Sequence, residues 1–296
     1  MSKILGDYHT HTIHSDGEST VSEMVHAAKE RELLEIAVTE HGPNKWYGKL
    51  KTRNWTKIRD DIRQAGEECG IKSFFGIEAN ITGVDGRIDI SQERAKELDL
   101  LAMGIHMAVR PANIRSFFCF FLPNYFWSFL HWTPKGRIRK NTEVVKRALN
   151  TNNVTIWTHP NLYFKLNVVE VAEVCADRGT LIELNGQRIS FRPIDFERML
   201  ATGAKFIINS DAHSSRRVGV VDRVFEFLKY CDYAEGDISN IVGTLTQWRQ
   251  PVKKNVVAKE ETGVEAKTKW WKRSKEKGKN EFYTRNKRRT KKKSEL

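Results

Sequence analysis

The residues best suited to chemistry in this chain are histidines and carboxylates, and they recur in short clusters. His9 and His11 stand in Asp7-Tyr8-His9-Thr10-His11, and Asp16 follows in Ser15-Asp16-Gly17. His41 comes after Glu40, Glu78 sits in Gly76-Ile77-Glu78-Ala79-Asn80, and His106 ends Gly104-Ile105-His106. His159 lies in Thr158-His159-Pro160, and Asp211 and His213 in Asn209-Ser210-Asp211-Ala212-His213. Side chains at i and i+2 of an extended chain point the same way, so His9/His11 and Asp211/His213 are natural chelating pairs. Crowding these groups together without metal would leave like charges and desolvated polar atoms facing each other. Neutral imidazole with carboxylate suits Zn²⁺, Mn²⁺ or Fe²⁺ better than Ca²⁺ or Mg²⁺. Such a set is too large for one ion and fits two or three with a shared carboxylate. His14, His26 and His131 fall outside this register and are read as ordinary histidines.

The elements that must position these groups are legible as well. Short apolar runs rich in Ile, Leu, Val and Phe predict strands at Lys3–Tyr8, Glu35–Thr39, Lys72–Ile77, Asp99–Gly104, Val154–Thr158, Thr180–Leu184 and Lys205–Asn209. Helical patterns alternate with them: Thr20–Leu34, Thr56–Cys69, Asn141–Thr151, Val168–Asp177, Pro193–Ala201, Val218–Cys231 and Asp237–Trp248. Such alternation implies parallel pairing, either closed into a barrel or left as an open doubly wound sheet. Each chemical cluster closes or follows a strand, and Asn185 ends the sixth. In a parallel barrel those strand ends converge on one mouth. No GxGxxG or GxxxxGK[ST] follows any strand, which gives a nucleotide-binding fold no support.

Composition bounds the rest. Of 296 residues, 40% are apolar and the formal charge is +13. Residues 251–296 hold 17 of the 50 Lys+Arg and 6 of the 37 Asp+Glu, leaving 33 against 31 for residues 1–250. The body is therefore near neutral, which excludes a body-wide basic surface for duplex nucleic acid. The expected organisation is one catalytic domain over 1–250, with an aromatic insertion at 111–139, and a basic, disordered tail over 251–296. Trp270, Trp271 and Phe282 give that tail a means of weak contact with nucleic acid. The four cysteines are far apart, with no CxxC pair, so a disulfide framework or Cys-type zinc site is not expected. The first residues lack the apolar run of a signal peptide, which makes the cytoplasm the expected location.

Ser116–Pro134 has no Lys, Arg, Asp or Glu, and Phe117–Trp132 carries nine aromatics in sixteen residues. Pro123, Asn124, Ser128 and His131 interrupt it as a membrane span. Packing on the barrel rim is the first expectation, a lid the second, and membrane-surface contact the last.

Asp7-Tyr8-His9-Thr10-His11, Thr39-Glu40-His41-Gly42, Gly76-Ile77-Glu78 and Ser210-Asp211-Ala212-His213 resemble the four motifs of the polymerase and histidinol phosphatase (PHP) family. Gly76–Ile81 through Val84-Asp85-Gly86 looks like its short, stand-alone phosphatase branch. The resemblance covers about residues 5–230. It implies an α/β fold, a distorted TIM-like (β/α)₇ barrel, with a trinuclear metal centre that hydrolyses phosphoesters. It further implies one metal on His9, His11, Glu78 and Asp211, and a second on Asp16, His41 and His213. A third would take His106 and His159, with Glu78 bridging back to the first. Glu40 departs from the Asp usual in the second motif.

No Ser, Cys or Lys stands in an activated-nucleophile context, so water is the expected attacking group. His9, His11, Glu78, Asp211 and His213 are the expected catalytic centre. Arg216, Arg217 and Arg188 are candidate phosphate-binding cations, with Arg192 and Arg110 weaker ones. The expected activity is metal-dependent phosphatase action on a small phosphorylated substrate. A nuclease or phosphodiesterase using the same site is the alternative. An amidohydrolase-type site would want a metal-bridging lysine at a strand end, and none is present. The oligomeric state is left open.

Overall fold

The computed structural model describes residues 3–48, 50 and 54–248. Its strands are β1 (Gly6–Asp7), β2 (Glu35–His41), β3 (Lys72–Asn80), β4 (Leu100–Gly104), β5 (Ile156–Trp157), β6 (Leu181–Asn185) and β7 (Phe206–Asn209). They pair in parallel in sequence order. A parallel bridge between Thr10 and Ala212, with His11 N donating to Ala212 O at 2.8 Å, brings the two edges together. The result is the expected distorted (β/α)₇ barrel.

Strand alternation fills this barrel and arms its mouth with one periodicity. Ala37, Phe74, Leu100, Ala102, Ile156 and Ile207 form an apolar cluster separate from the main core between sheet and helices. Four residues further along the chain come His41 and Glu78, still within β2 and β3 and on the same face, and His106 and Asp211, two residues past the ends of β4 and β7. Tyr8 and Leu245 belong to the inner cluster, and Leu245 N donates to the Tyr8 hydroxyl at 2.8 Å.

Local chemistry sets the helices. Thr20 caps the helix Val21–Glu30 in a capping box with Glu23, and Val21, Met24, Val25 and Ala28 are its buried stripe. The helix Trp55–Cys69 stops at Gly70, which takes the left-handed conformation at φ 61°.

Three expectations need correction. β2 and β3 run further than Thr39 and Ile77, so His41 and Glu78 lie inside the sheet as register partners. The helix expected from Val218 begins only at Asp222, because Gly219 turns at φ 68° and donates its N–H to Asp7 Oδ2 at 2.8 Å. The helix expected over Asp237–Trp248 is broken, with Gly243 extended between Ser239–Val242 and Leu245–Trp248. The aromatic insertion is helical from Ile114 to Phe129, with a π-helical turn at Phe117–Phe121. Phe120 and Phe121 pack inward as expected, whereas Phe118, Phe126 and Phe129 are exposed. No helix among the described residues is long and apolar enough to cross a membrane. The expected tail at 251–296, with Trp270, Trp271 and Phe282, lies outside the described residues.

The seam between β1 and β7 rests on the buried Asn240. Its side chain donates to Gly6 O at 2.8 Å and accepts from Ile208 N at 2.9 Å, and its carbonyl accepts from Leu5 N at 2.8 Å. Asn240→Ala should leave Gly6 O and Ile208 N unpaired, costing about 3 kcal/mol and lowering the thermal midpoint by roughly 5–10 °C. Thermal unfolding followed by circular dichroism checks this.

Candidate metal centre

All nine residues singled out from the sequence meet at the barrel mouth. Glu78 is at the middle, fully buried on β3. Its Oε2 lies 3.0 Å from His41 Nδ1, 3.2 Å from His106 Nε2, 3.4 Å from His9 Nε2 and 3.7 Å from His11 Nε2. Its Oε1 lies 2.7 Å from His159 Nε2. Asp211 Oδ1 faces His11 Nε2 at 3.5 Å and His9 Nε2 at 3.6 Å. On the other side Asp16 reaches His41 Nε2 at 3.2 Å and His213 Nε2 at 3.4 Å.

These groups fall into three overlapping sets of potential ligands. They are His9/His11/Asp211, His11/Asp16/His41/His213 and His41/Glu78/His106. His159 adjoins the last set, with its Nε2 3.1 Å from His106 Nε2. Two imidazole nitrogens at that distance cannot both present lone pairs without a proton or a cation between them.

The donor chemistry fits bound cations. His9 Nε2, both ring nitrogens of His11, His41 Nδ1 and Glu78 Oε2 are buried with no hydrogen-bond partner. Leaving each of these atoms unsatisfied costs on the order of 1–3 kcal/mol, so a barrel would not collect them without compensation. Burial opposes ionisation of Glu78, yet the imidazoles of His106, His9 and His159 hold its carboxyl well below the usual range. Burial, opposed by Glu78, pushes the His106 imidazole down to about 4, leaving it neutral as a metal ligand must be. His9 is also penalised by burial, but Glu183, Glu78 and Asp211 outweigh this and attract positive charge to it.

The backbone is bent to serve this cluster. His159 and Asp211 hold φ of 29° and 54°, in the left-handed region that β-carbon-bearing residues avoid. Gly104 leaves room for the neighbouring imidazole: a Cβ there would fall 2.7 Å from His159 Cε1.

Several residues that orient the ligands escaped the sequence reading. Glu183 on β6 accepts from His9 Nδ1 at 2.7 Å, His159 N at 2.8 Å, and the Asn185 and Asn209 amides at 3.0 Å. Its signal was a carboxylate inside an otherwise apolar strand, which is affordable only with such partners. His106 Nδ1 donates to Asn80 Oδ1 at 2.7 Å, and Asn80 Nδ2 donates to Asp89 at 2.7 Å. Lys45 Nζ sits 2.6 Å from Asp16 Oδ2, and the Tyr163 ring lies 5.8 and 5.9 Å from those of His106 and His159. Glu40 does not face the cluster. It accepts from Thr12 N at 3.2 Å and from the Thr12 and Ser15 hydroxyls, tying down the loop that carries Asp16.

The candidate arginines are dispersed. Arg216 is exposed, 3.9 Å from Glu18, and Arg192 is engaged by Asp195. Arg217 and Arg110 are exposed, while Arg188 lies near enough to Tyr163 and Lys165 for its charge to act on both. His14 faces Asp61, and His26 bonds to Ser22 O.

The family description "PHP domain" matches residues 7–135, which span the first four of these clusters and the insertion. Over these residues the chain is similar to the PHP family. It is 26% identical over 251 residues to the Escherichia coli O1:K1 protein named "Probable phosphatase YcdX", covering 79% of this chain and 89% of that one. It is 26% identical over 277 residues to a protein of Thermoanaerobacter sp. (strain X514), also named a probable phosphatase, covering 88% and 100%. Among solved structures, the histidinol phosphate phosphatase of Lactococcus lactis, crystallised with zinc, L-histidinol and phosphate, matches with a TM-score of 0.52. That likeness covers 78% of this chain and 95% of the other at 17% identity, and shows that the two share a fold.

Glu183→Gln keeps the shape of the side chain but removes the charge that His9 and the His159 backbone share. It should lower zinc or manganese affinity roughly 10–100-fold while the far-UV spectrum is unchanged. Metal titration by calorimetry tests this.

Proposed function

We propose that this protein is a metal-dependent phosphomonoester phosphatase acting on a small phosphorylated substrate, with residues 1–250 as its catalytic domain. The observation that carries this reading is the group of unpartnered, buried ligand atoms converging on Glu78 at the barrel mouth. The three overlapping donor sets support two to three ions of zinc, manganese or iron. By the family resemblance, His9, His11, Glu78 and Asp211 hold one, Asp16, His41 and His213 a second, and His106 and His159 a third. When bound, divalent ions supply Lewis acidity and neutralise charge for attack of water on phosphorus.

The remaining work belongs to the chain. Glu183 holds a proton at His9 Nδ1 and thereby directs Nε2 into the mouth. Asn80, itself held by Asp89, does the same for His106. Lys45, 2.6 Å from Asp16, and Arg188, whose charge reaches Tyr163, are the cations assigned to phosphate oxygens. Tyr163 covers the His106/His159 edge and restricts water there. A nuclease using the same site draws support from the basic composition of residues 251–296 and from the breadth of the family, but the relatives named above carry the name probable phosphatase, and the monoester reading is preferred.

Elemental analysis of the purified protein should find two to three transition metals per chain. Hydrolysis of p-nitrophenyl phosphate should exceed that of bis-p-nitrophenyl phosphate; the reverse order would move the assignment to a phosphodiesterase. His9→Ala and Asp211→Ala should abolish turnover and lower metal content with the barrel still folded, and wild-type rates in either would refute the assignment. Lys45→Met should raise KM roughly tenfold with a smaller effect on kcat, as expected for loss of a charged contact to phosphate.

A further inference from the structure

The helical insertion Ile114–Phe129 has two faces of opposite character. Its inner face is built in: Phe120 and Phe121 are buried with ring centroids 5.5 and 6.3 Å from Phe164, and Asn124 and Asn141 exchange two amide hydrogen bonds of 2.8 Å. Its outer face is a ladder of exposed apolar side chains, Ile114, Phe118, Leu122, Phe126 and Leu130, spaced four residues apart. Phe129, at 81% exposure, and Trp132 extend it. Four-residue spacing drifts around a pure α-helix, and the wider π-helical turn at Phe117–Phe121 counters that drift.

Along the chain, the charge flanking this ladder has one sign. Residues 100–142 contain no Asp or Glu, and Arg110, Arg115, Lys135, Arg139 and Lys140 flank the uncharged run. None of these five has an ion-pair partner among the described residues. Apolar and aromatic side chains rimmed by unpaired cations match the interface of an anionic bilayer, where rings enter the headgroup boundary and Lys and Arg meet lipid phosphates. A second copy of the chain would bring like charges together, and no described helix is long enough to span.

The face is also fixed to the mouth. The Tyr125 ring packs 5.9 Å from that of Phe164, and the adjacent Tyr163 ring lies 5.8 and 5.9 Å from those of His106 and His159. Trp46 and Tyr47, 60% and 77% exposed, adjoin the segment that leads into the insertion, where Trp46 N donates to Ala108 O at 2.9 Å. We propose that this aromatic, cation-rimmed face docks the protein on the surface of an anionic lipid bilayer and sets the barrel mouth beside the headgroup layer.

The full chain should co-sediment with phosphatidylcholine–phosphatidylglycerol vesicles and much less with pure phosphatidylcholine vesicles. Phe118→Glu/Phe126→Glu alters only exposed positions, and should weaken that binding at least about tenfold with an unchanged thermal midpoint. Arg139→Glu/Lys140→Glu should weaken it through the rim. Wild-type binding by both variants would place the lipid contact elsewhere, as in basic residues 251–296, and overturn the proposal. Failure of the wild type to bind vesicles would overturn it too. So would a loss of self-association, without vesicle binding, in the Phe118→Glu/Phe126→Glu variant. These readouts do not depend on phosphatase activity.

Discussion

A fully buried carboxylate, Glu78, has imidazole nitrogens of five histidines within 3.7 Å, and much of the barrel mouth is arranged around that concentration of polar groups. In an interior of low dielectric, unpaired charges and lone pairs at such distances repel or remain unsatisfied. The barrel tolerates them because several are held from behind. Glu183 braces His9 and the His159 backbone, Asn80 and Asp89 brace His106, and Asp16 faces His41 and His213. The imidazole nitrogens and the carboxylate oxygen left over point inward to a common volume, which is where cations relieve the conflict.

The same constraint accounts for departures from regular geometry. A seven-strand barrel delivers side chains to its mouth by alternation, but alternation alone does not aim every group at one centre. β1 and β5 are only two residues long, and His159 and Asp211 turn into left-handed backbone immediately past β5 and β7. Strain at those positions costs on the order of 1–3 kcal/mol each, and the hydrogen bonds of Glu183 and Asn185 to them hold the turns in place. The apolar layer below, from Ala37 to Ile207, supplies a rigid floor.

The insertion between β4 and the helix Lys135–Thr151 obeys a different balance. Phe120, Phe121 and Tyr125 anchor it to Phe164, so the segment is held against the loop that follows His159. Its outer side chains are as apolar as the inner ones yet face solvent, and the unpaired cations beside them give that surface a preference for anionic, partly apolar partners.

The sequence by itself determined the seven strands, their parallel pairing and the nine candidate groups, because apolar runs and short His/Asp/Glu motifs are local patterns, whereas the strand order and the closure of the barrel came from the tertiary structure. It also placed these groups at or just past the strand ends. Strand extent was not local: β2 and β3 continue through His41 and Glu78 because pairing with neighbouring strands stabilises residues that propensity would assign to loops. Nor was the role of Glu183, Asn80, Asp89 or Lys45 visible, since each acts on a partner more than eight positions away in the chain. The aromatic segment had composition without direction. Only tertiary packing decided which rings became anchor and which became surface, because burial depends on what the rest of the chain places opposite each face.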